Sequence, residues 1–202
     1  NFIGRPIDGY RAPECILTLP AAEAVLRVHA ELARSGLGVK IYDCYRPTRA
    51  VADFVAWSAL PDQYMKAEFY PDVDKRDFFK LGYVAEKSSH SRGSTVDLTI
   101  VPLDAFPQPA YNPVQKLKAC YAPRSERFPD ISIDMGTGYD CFDPLSHPAN
   151  EAVGIVPFHN RQMLRALMVK HGFAPYDEEW WHFTLKNEPF PETFFDFPVE
   201  AR

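Results

Sequence analysis

Ser88-Ser89-His90-Ser91-Arg92-Gly93-Ser94-Thr95-Val96-Asp97-Leu98-Thr99-Ile100-Val101 sets a histidine and a carboxylate seven positions apart, with a glycine between them and an apolar run beyond. On one straight strand the two side chains would point to opposite faces and lie about 23 Å apart, too far to share an ion. A turn at Arg92-Gly93 folds them together, and glycine supplies the conformational freedom for it. Residues 95–101 then read as a strand that buries Asp97. A buried carboxylate needs a cation or several donors to offset its desolvation, so this stretch points to a metal site.

A second stretch, Asp177-Glu178-Glu179-Trp180-Trp181-His182-Phe183, places a glutamate three positions before a histidine at the mouth of an aromatic strand. His90, Asp97 and His182 together offer two imidazoles and one carboxylate, a set that leaves the fourth tetrahedral position of a single zinc ion open for water. Glu179, next to a ligand without being one, suits the general base for that water. The HExxH helix signature is absent, so the site is not of the thermolysin type. The same donors also suit other divalent ions.

Outward from these stretches, residues 20–35 carry Ala22, Val25, Leu26, Val28 and Leu32 at helical spacing, with Pro20 at the start and Gly36 beyond the end. Residues 39–45 are β-branched and aromatic and read as a strand that delivers Arg46 to its tip; Pro47 then opens a helix over 48–60. Residues 61–87 show no convincing period and read as loop with a short helix. Asn160 is expected to cap a helix over 161–171 with Met163, Leu164, Leu167 and Met168 inward, and 180–185 reads as an aromatic strand. The class is α+β, a small, mainly antiparallel central sheet flanked by helices. The expectation is one catalytic domain over 1–202, with the proline-rich stretch 102–133 as a surface insertion.

The formal charge of −5 and scattered Lys and Arg give no footprint for nucleic acid. No run approaches the roughly 18 apolar residues of a membrane-spanning helix, and nothing in the sequence indicates an oligomeric state. Four cysteines stand outside any CxxC spacing. They allow three disulfide pairings, or four reduced thiols packed as small hydrophobes.

With these residues in view, SSHSRGSTVDLT, EWWHF and DCYRP resemble the motifs of D-alanyl-D-alanine dipeptidases of the VanX type. The likeness runs from Asn1-Phe2-Ile3-Gly4-Arg5-Pro6 to Phe194-Phe195-Asp196-Phe197-Pro198, apart from the stretch 102–133. The patterns SxHxxGxxxD and ExxH are also shared with D,D-carboxypeptidases and Hedgehog-like domains, which implies a fold of that kind. The resemblance implies His90, Asp97 and His182 as zinc ligands and Glu179 as the base. It further implies Arg46 as the group that binds the oxyanion of the transition state, Asp140 as the partner of the substrate's ammonium, and Ser88 as a further substrate contact. The implied substrate is the small dipeptide D-Ala-D-Ala; the alternatives are a D,D-carboxypeptidase acting on peptidoglycan precursors and a non-catalytic, zinc-containing binding module. Against that background Cys15–Cys44 and Cys120–Cys141 become the expected disulfides, and with them a periplasmic location.

Overall fold

In the computed structural model, which describes residues 1–112 and 114–201, helix α1 spans Leu19–Ala33. Pro20 sits in its first turn, where a missing N–H costs nothing. Ala21, Ala24, Val25, Val28 and Leu32 recur at helical spacing and are buried. Leu26, expected in that stripe, is 66% exposed and lies on the solvent side.

Strand β1 spans Leu37–Asp43. It starts and ends two residues earlier than the expected 39–45, because Cys44 and Tyr45 leave the sheet and the Tyr45 amide donates to the Ile16 carbonyl at 3.0 Å. Arg46 therefore lies beyond the strand tip. Pro47 precedes α2, Thr48–Ser58, which buries Val51, Phe54 and Trp57. After a single-turn helix α3, Lys66–Phe69, the chain reaches strand β2, Thr95–Pro102.

Residues 103–133 carry no helix or strand among the described residues. Helix α4 spans Ile155–Lys170, starting six residues and ending one residue earlier than the expected 161–171. Asn160 is thus no cap: it sits inside α4, and its side chain donates to the Asp134 carbonyl at 2.7 Å. Leu164 and Met168 are buried as expected, but Met163 is 37% exposed. Two short strands close the fold, β3 at Phe173–Pro175, which was not foreseen, and β4 at His182–Leu185. Trp180 stays outside β4 because its amide donates to the Ser146 carbonyl at 3.1 Å.

The four strands form one sheet in the order β1-β2-β4-β3, with every neighbouring pair antiparallel. Val96, Leu98 and Ile100 of β2 join Val28, Leu32, Leu164 and Met168 in a core between the sheet and helices α1 and α4. Truncating one of these buried aliphatics to alanine costs about 2–5 kcal/mol. By the alternation of a strand, Thr95, Asp97 and Thr99 take the other face. A bulge at Tyr42 lets Asp43 pair with Asp97, which in turn pairs with His182, so three polar residues line up across three strands. Beside that row, Phe2, Phe54, Trp57, Tyr70, Phe78 and Phe142 build a second, aromatic cluster.

Disulfides join Cys15 to Cys44 and Cys120 to Cys141, the two bridges expected from the sequence. No described helix is long and apolar enough to cross a membrane.

Candidate metal centre and substrate cavity

His90 lies in a 3₁₀ turn over Ser89–Arg92 that meets β2 at right register for Asp97. The Ser88 hydroxyl accepts the His90 amide at 3.3 Å and so caps the turn. Gly93, at φ +79°, ends it in the left-handed region, where a side chain would be strained. The expected reversal at Arg92-Gly93 is therefore a capped 3₁₀ turn. His182 opens β4 directly opposite Asp97.

Three donor atoms converge. His90 Nε2 and His182 Nδ1 are 3.3 Å apart, and Asp97 Oδ1 lies 3.3 Å from the first and 3.1 Å from the second. Adjacent ligands of a tetrahedral ion with bonds of about 2.0 Å keep separations of about 3.3 Å, so the triangle has the size that zinc requires. Asp97 Oδ1 is buried with no hydrogen-bond partner, an arrangement that is costly unless a cation fills the role. Each donor is oriented from behind. His90 Nδ1 donates to the Cys44 carbonyl at 2.6 Å, which leaves the lone pair on Nε2. His182 Nε2 meets the Ser89 hydroxyl at 3.3 Å, and the Tyr139 hydroxyl donates to Asp97 Oδ2 at 3.1 Å.

Burial pushes the Asp97 carboxyl up, but His90 and His182 outweigh it and hold it well below the carboxylate range. Burial lowers the pKa of His182, which favours the neutral, ligating form. Glu179 Oε2 lies 3.5 Å from His182 Nδ1. Burial, then the charges of Asp97 and Asp140, raise the Glu179 carboxyl well above its usual range, while Arg46 acts in the opposite sense. A group that can hold a proton beside the donor cluster is chemically a proton carrier.

Arg46 is mostly buried. Its Nε and Nη2 both reach Asp43 Oδ2, at 3.0 and 2.8 Å, and the guanidinium lies over the Phe54 ring. Asp43 also accepts from the Tyr10 hydroxyl at 2.9 Å and from the Cys44 amide at 2.9 Å. The arginine is thus aimed by a carboxylate that is itself fully engaged. Asp140 adopts φ +54°, the one positive value at a described non-glycine residue, and burial and the Asp97 charge push its carboxyl up to about 7.

A cavity of about 400 Å³ is lined by His90, Asp97, His182, Glu179, Arg46, Asp140 and Ser88. All seven residues singled out in the sequence therefore face one space. Phe2, Phe54 and Phe142 give it an apolar wall. Among its lining residues, the Tyr176 hydroxyl donates to the Gly82 carbonyl at 3.3 Å. Gly82 adopts φ +81°, in the left-handed region where a side chain would be strained.

Sequence reasoning missed Asp43, Ser89, Tyr139, Tyr176 and Arg161. Arg161 is 1% exposed and donates to the carbonyls of Met135, Leu145 and His147 at 2.7, 2.7 and 3.0 Å, so it binds together the loop that carries Asp140. An arginine inside an amphipathic helix carries no local mark of such a role. Asp43 did carry one, because it stands three residues before Arg46 in the quoted DCYRP.

A family model described as D-ala-D-ala dipeptidase, of peptidase family M15, matches residues 1–107 and 130–200. The chain is similar to the D-alanyl-D-alanine dipeptidase of Enterococcus faecium, 38% identical over 201 residues that cover 99% of this chain and 88% of the relative. It is similar to that of Streptomyces coelicolor, 40% identical with 98% and 87% covered. A third, from Escherichia coli K12, is 32% identical over 92% of this chain and 73% of its own length.

Proposed function

The chain belongs to the D-ala-D-ala dipeptidase family of metallopeptidases, and on that premise we propose that it is a zinc enzyme that hydrolyses the dipeptide D-Ala-D-Ala in the periplasm. The observation that carries this reading is the triangle of His90 Nε2, Asp97 Oδ1 and His182 Nδ1, opening onto the cavity that also holds Glu179, Arg46 and Asp140. Two imidazoles and one carboxylate favour zinc and leave a coordination position for water. Held by His90, Asp97 and His182, zinc would lower the pKa of a bound water toward about 7 and would supply Lewis-acid polarisation of a carbonyl.

The chain's own residues do the rest. Glu179 takes a proton from the attacking water and delivers it to the departing amine. Arg46, fixed by Asp43, binds the negative oxygen that develops on the carbonyl. Asp140 pairs with the free ammonium of the dipeptide, which disfavours blocked or extended amino ends. Ser88, whose oxygen accepts from the His90 amide, keeps its hydroxyl hydrogen to donate to substrate. Residues 1–202 act as one catalytic domain with 102–133 as a surface insertion, and the two disulfides support an oxidising compartment.

The test is direct. Purified protein should bind one zinc ion per chain, release D-alanine from D-Ala-D-Ala, and lose that activity with chelator or in Glu179→Ala. A peptidoglycan pentapeptide ending in the same pair should be hydrolysed far more slowly. Equal rates on the two substrates would sink the dipeptidase reading in favour of a D,D-carboxypeptidase, and metal binding with no hydrolysis would leave a binding module.

A further inference from the structure

We propose that Tyr139 is a positioning residue that confines Asp97 to a one-oxygen grip on the metal and so sets how tightly the ion is held. This rests on the reading of His90, Asp97 and His182 as the ligands. A carboxylate has two oxygens and can rotate or chelate with both; its mode depends on what its second oxygen is given. Here Oδ2 takes the Tyr139 hydroxyl at 3.1 Å, and Oδ1 is left with no donor among the described residues, 3.3 and 3.1 Å from the two histidine nitrogens. One oxygen is occupied and the other is kept for a cation.

Tyr139 sits behind the site. It is not among the residues lining the cavity that holds Asp97, Arg46 and Glu179, and its hydroxyl is hydrogen-bonded to Asp97. Its ring is fixed on two sides. It stacks on Tyr42 with centroids 4.2 Å apart and planes 8° apart, and meets the Trp181 edge at 5.4 Å and 76°. Tyr42 is anchored in turn by Ser132 at 2.9 Å and by Asp130. The backbone is pinned as well: the Gly138 amide donates to the Cys120 carbonyl at 2.7 Å, and Cys141 is bridged to Cys120. A hydroxyl on so rigid a mount gives Asp97 Oδ2 a partner at one fixed position. Asp140 is the next residue, so the support of the ligand and the proposed ammonium site share one short segment.

Tyr139→Phe removes one oxygen and keeps both ring contacts. The zinc affinity of the apo protein is measured by competition with a chromophoric chelator, beside the absorption spectrum of the cobalt form and thermal unfolding of the apo form. The expected result is an affinity about 10–100-fold weaker, a changed cobalt spectrum and an apo protein that melts near the wild type. Tyr42→Phe, which loses the Asp130 and Ser132 contacts but keeps the stack, should retain wild-type affinity. Affinity within twofold of wild type and an unchanged cobalt spectrum in Tyr139→Phe would overturn the proposal. Should Tyr139→Phe also lower apo stability, equal affinity losses in both tyrosine variants overturn it, and a loss confined to Tyr139→Phe upholds it. A wild-type protein that fails to bind one equivalent of zinc overturns the ligand reading itself, and this inference with it.

Discussion

His90 and Cys44 are joined by a 2.6 Å hydrogen bond from the imidazole Nδ1 to the backbone carbonyl, and the same Cys44 is bridged to Cys15. A disulfide thereby stands directly behind a proposed metal ligand. Cys15→Ser/Cys44→Ser should lose about 2–4 kcal/mol of stability by urea unfolding, and it should also bind zinc more weakly, as the tautomer of His90 becomes less firmly set. Loss of stability at unchanged zinc affinity would show that the bridge serves only the fold.

Arg46 spends Nε and Nη2 on Asp43, which fixes the plane of the guanidinium and leaves Nη1 without a partner among the described residues. Lysine cannot hold Asp43 and reach a developing oxyanion at once. Arg46→Lys should therefore lower kcat by about 10²–10³-fold with a smaller change in KM. Steady-state kinetics on D-Ala-D-Ala decide it; a rise in KM alone would make Arg46 a ground-state contact.

Asp140→Asn keeps the shape of the side chain and removes its charge. Loss of a desolvated charge pair should weaken kcat/KM for the free dipeptide by about 10–100-fold, corresponding to roughly 1.5–3 kcal/mol. Hydrolysis of the N-acetylated dipeptide, slow in the wild type, should change little, so the discrimination between the two collapses. Discrimination that survives in the variant would remove Asp140 from the ammonium site.

Asp130 holds the far end of the Tyr42 stack. Burial raises its carboxyl, but hydrogen bonds from Tyr42, Ser132 and Lys40, with the Lys40 charge, outweigh that and leave its pKa below the ordinary value. A depressed carboxyl contributes stability that is complete above its unfolded value of about 3.9 and is lost as pH falls through the lower folded value. Asp130→Asn should thus be destabilised by about 1–3 kcal/mol at pH 6 and by less at pH 3. Urea unfolding at the two pH values checks it, and an equal deficit at both would refute the assignment.

Much of this was legible because the decisive signals are local. The stripe of α1 is a matter of spacing, and the apolar run around Asp97 announces both a strand and an anomaly within it. The sequence understates α4 because its first turn, Ile155-Val156-Pro157, exposes two large apolar side chains and carries a proline, which masks the true start. Strand β3 is three residues long and exists only by pairing with β4. The roles of Tyr139 and Arg161 depend on partners 42 and 26 positions away, so no window of sequence contains them.

The row of Asp43, Asp97 and His182 across three strands makes the proposed metal centre a checkpoint on assembly. Side chains alternate along a strand, so a slip of β4 by one step would present Trp181 or Phe183 where His182 belongs. With His90, Asp97 and His182 as the proposed ligands, an ion would be captured only by chains that have aligned correctly, and the fraction of freshly refolded molecules able to take up zinc would count those that did. Single-residue insertions within β2 or β4 should be far more damaging than insertions within 104–107, which carry no helix or strand and precede the segment tied down by Cys120 and Asp130.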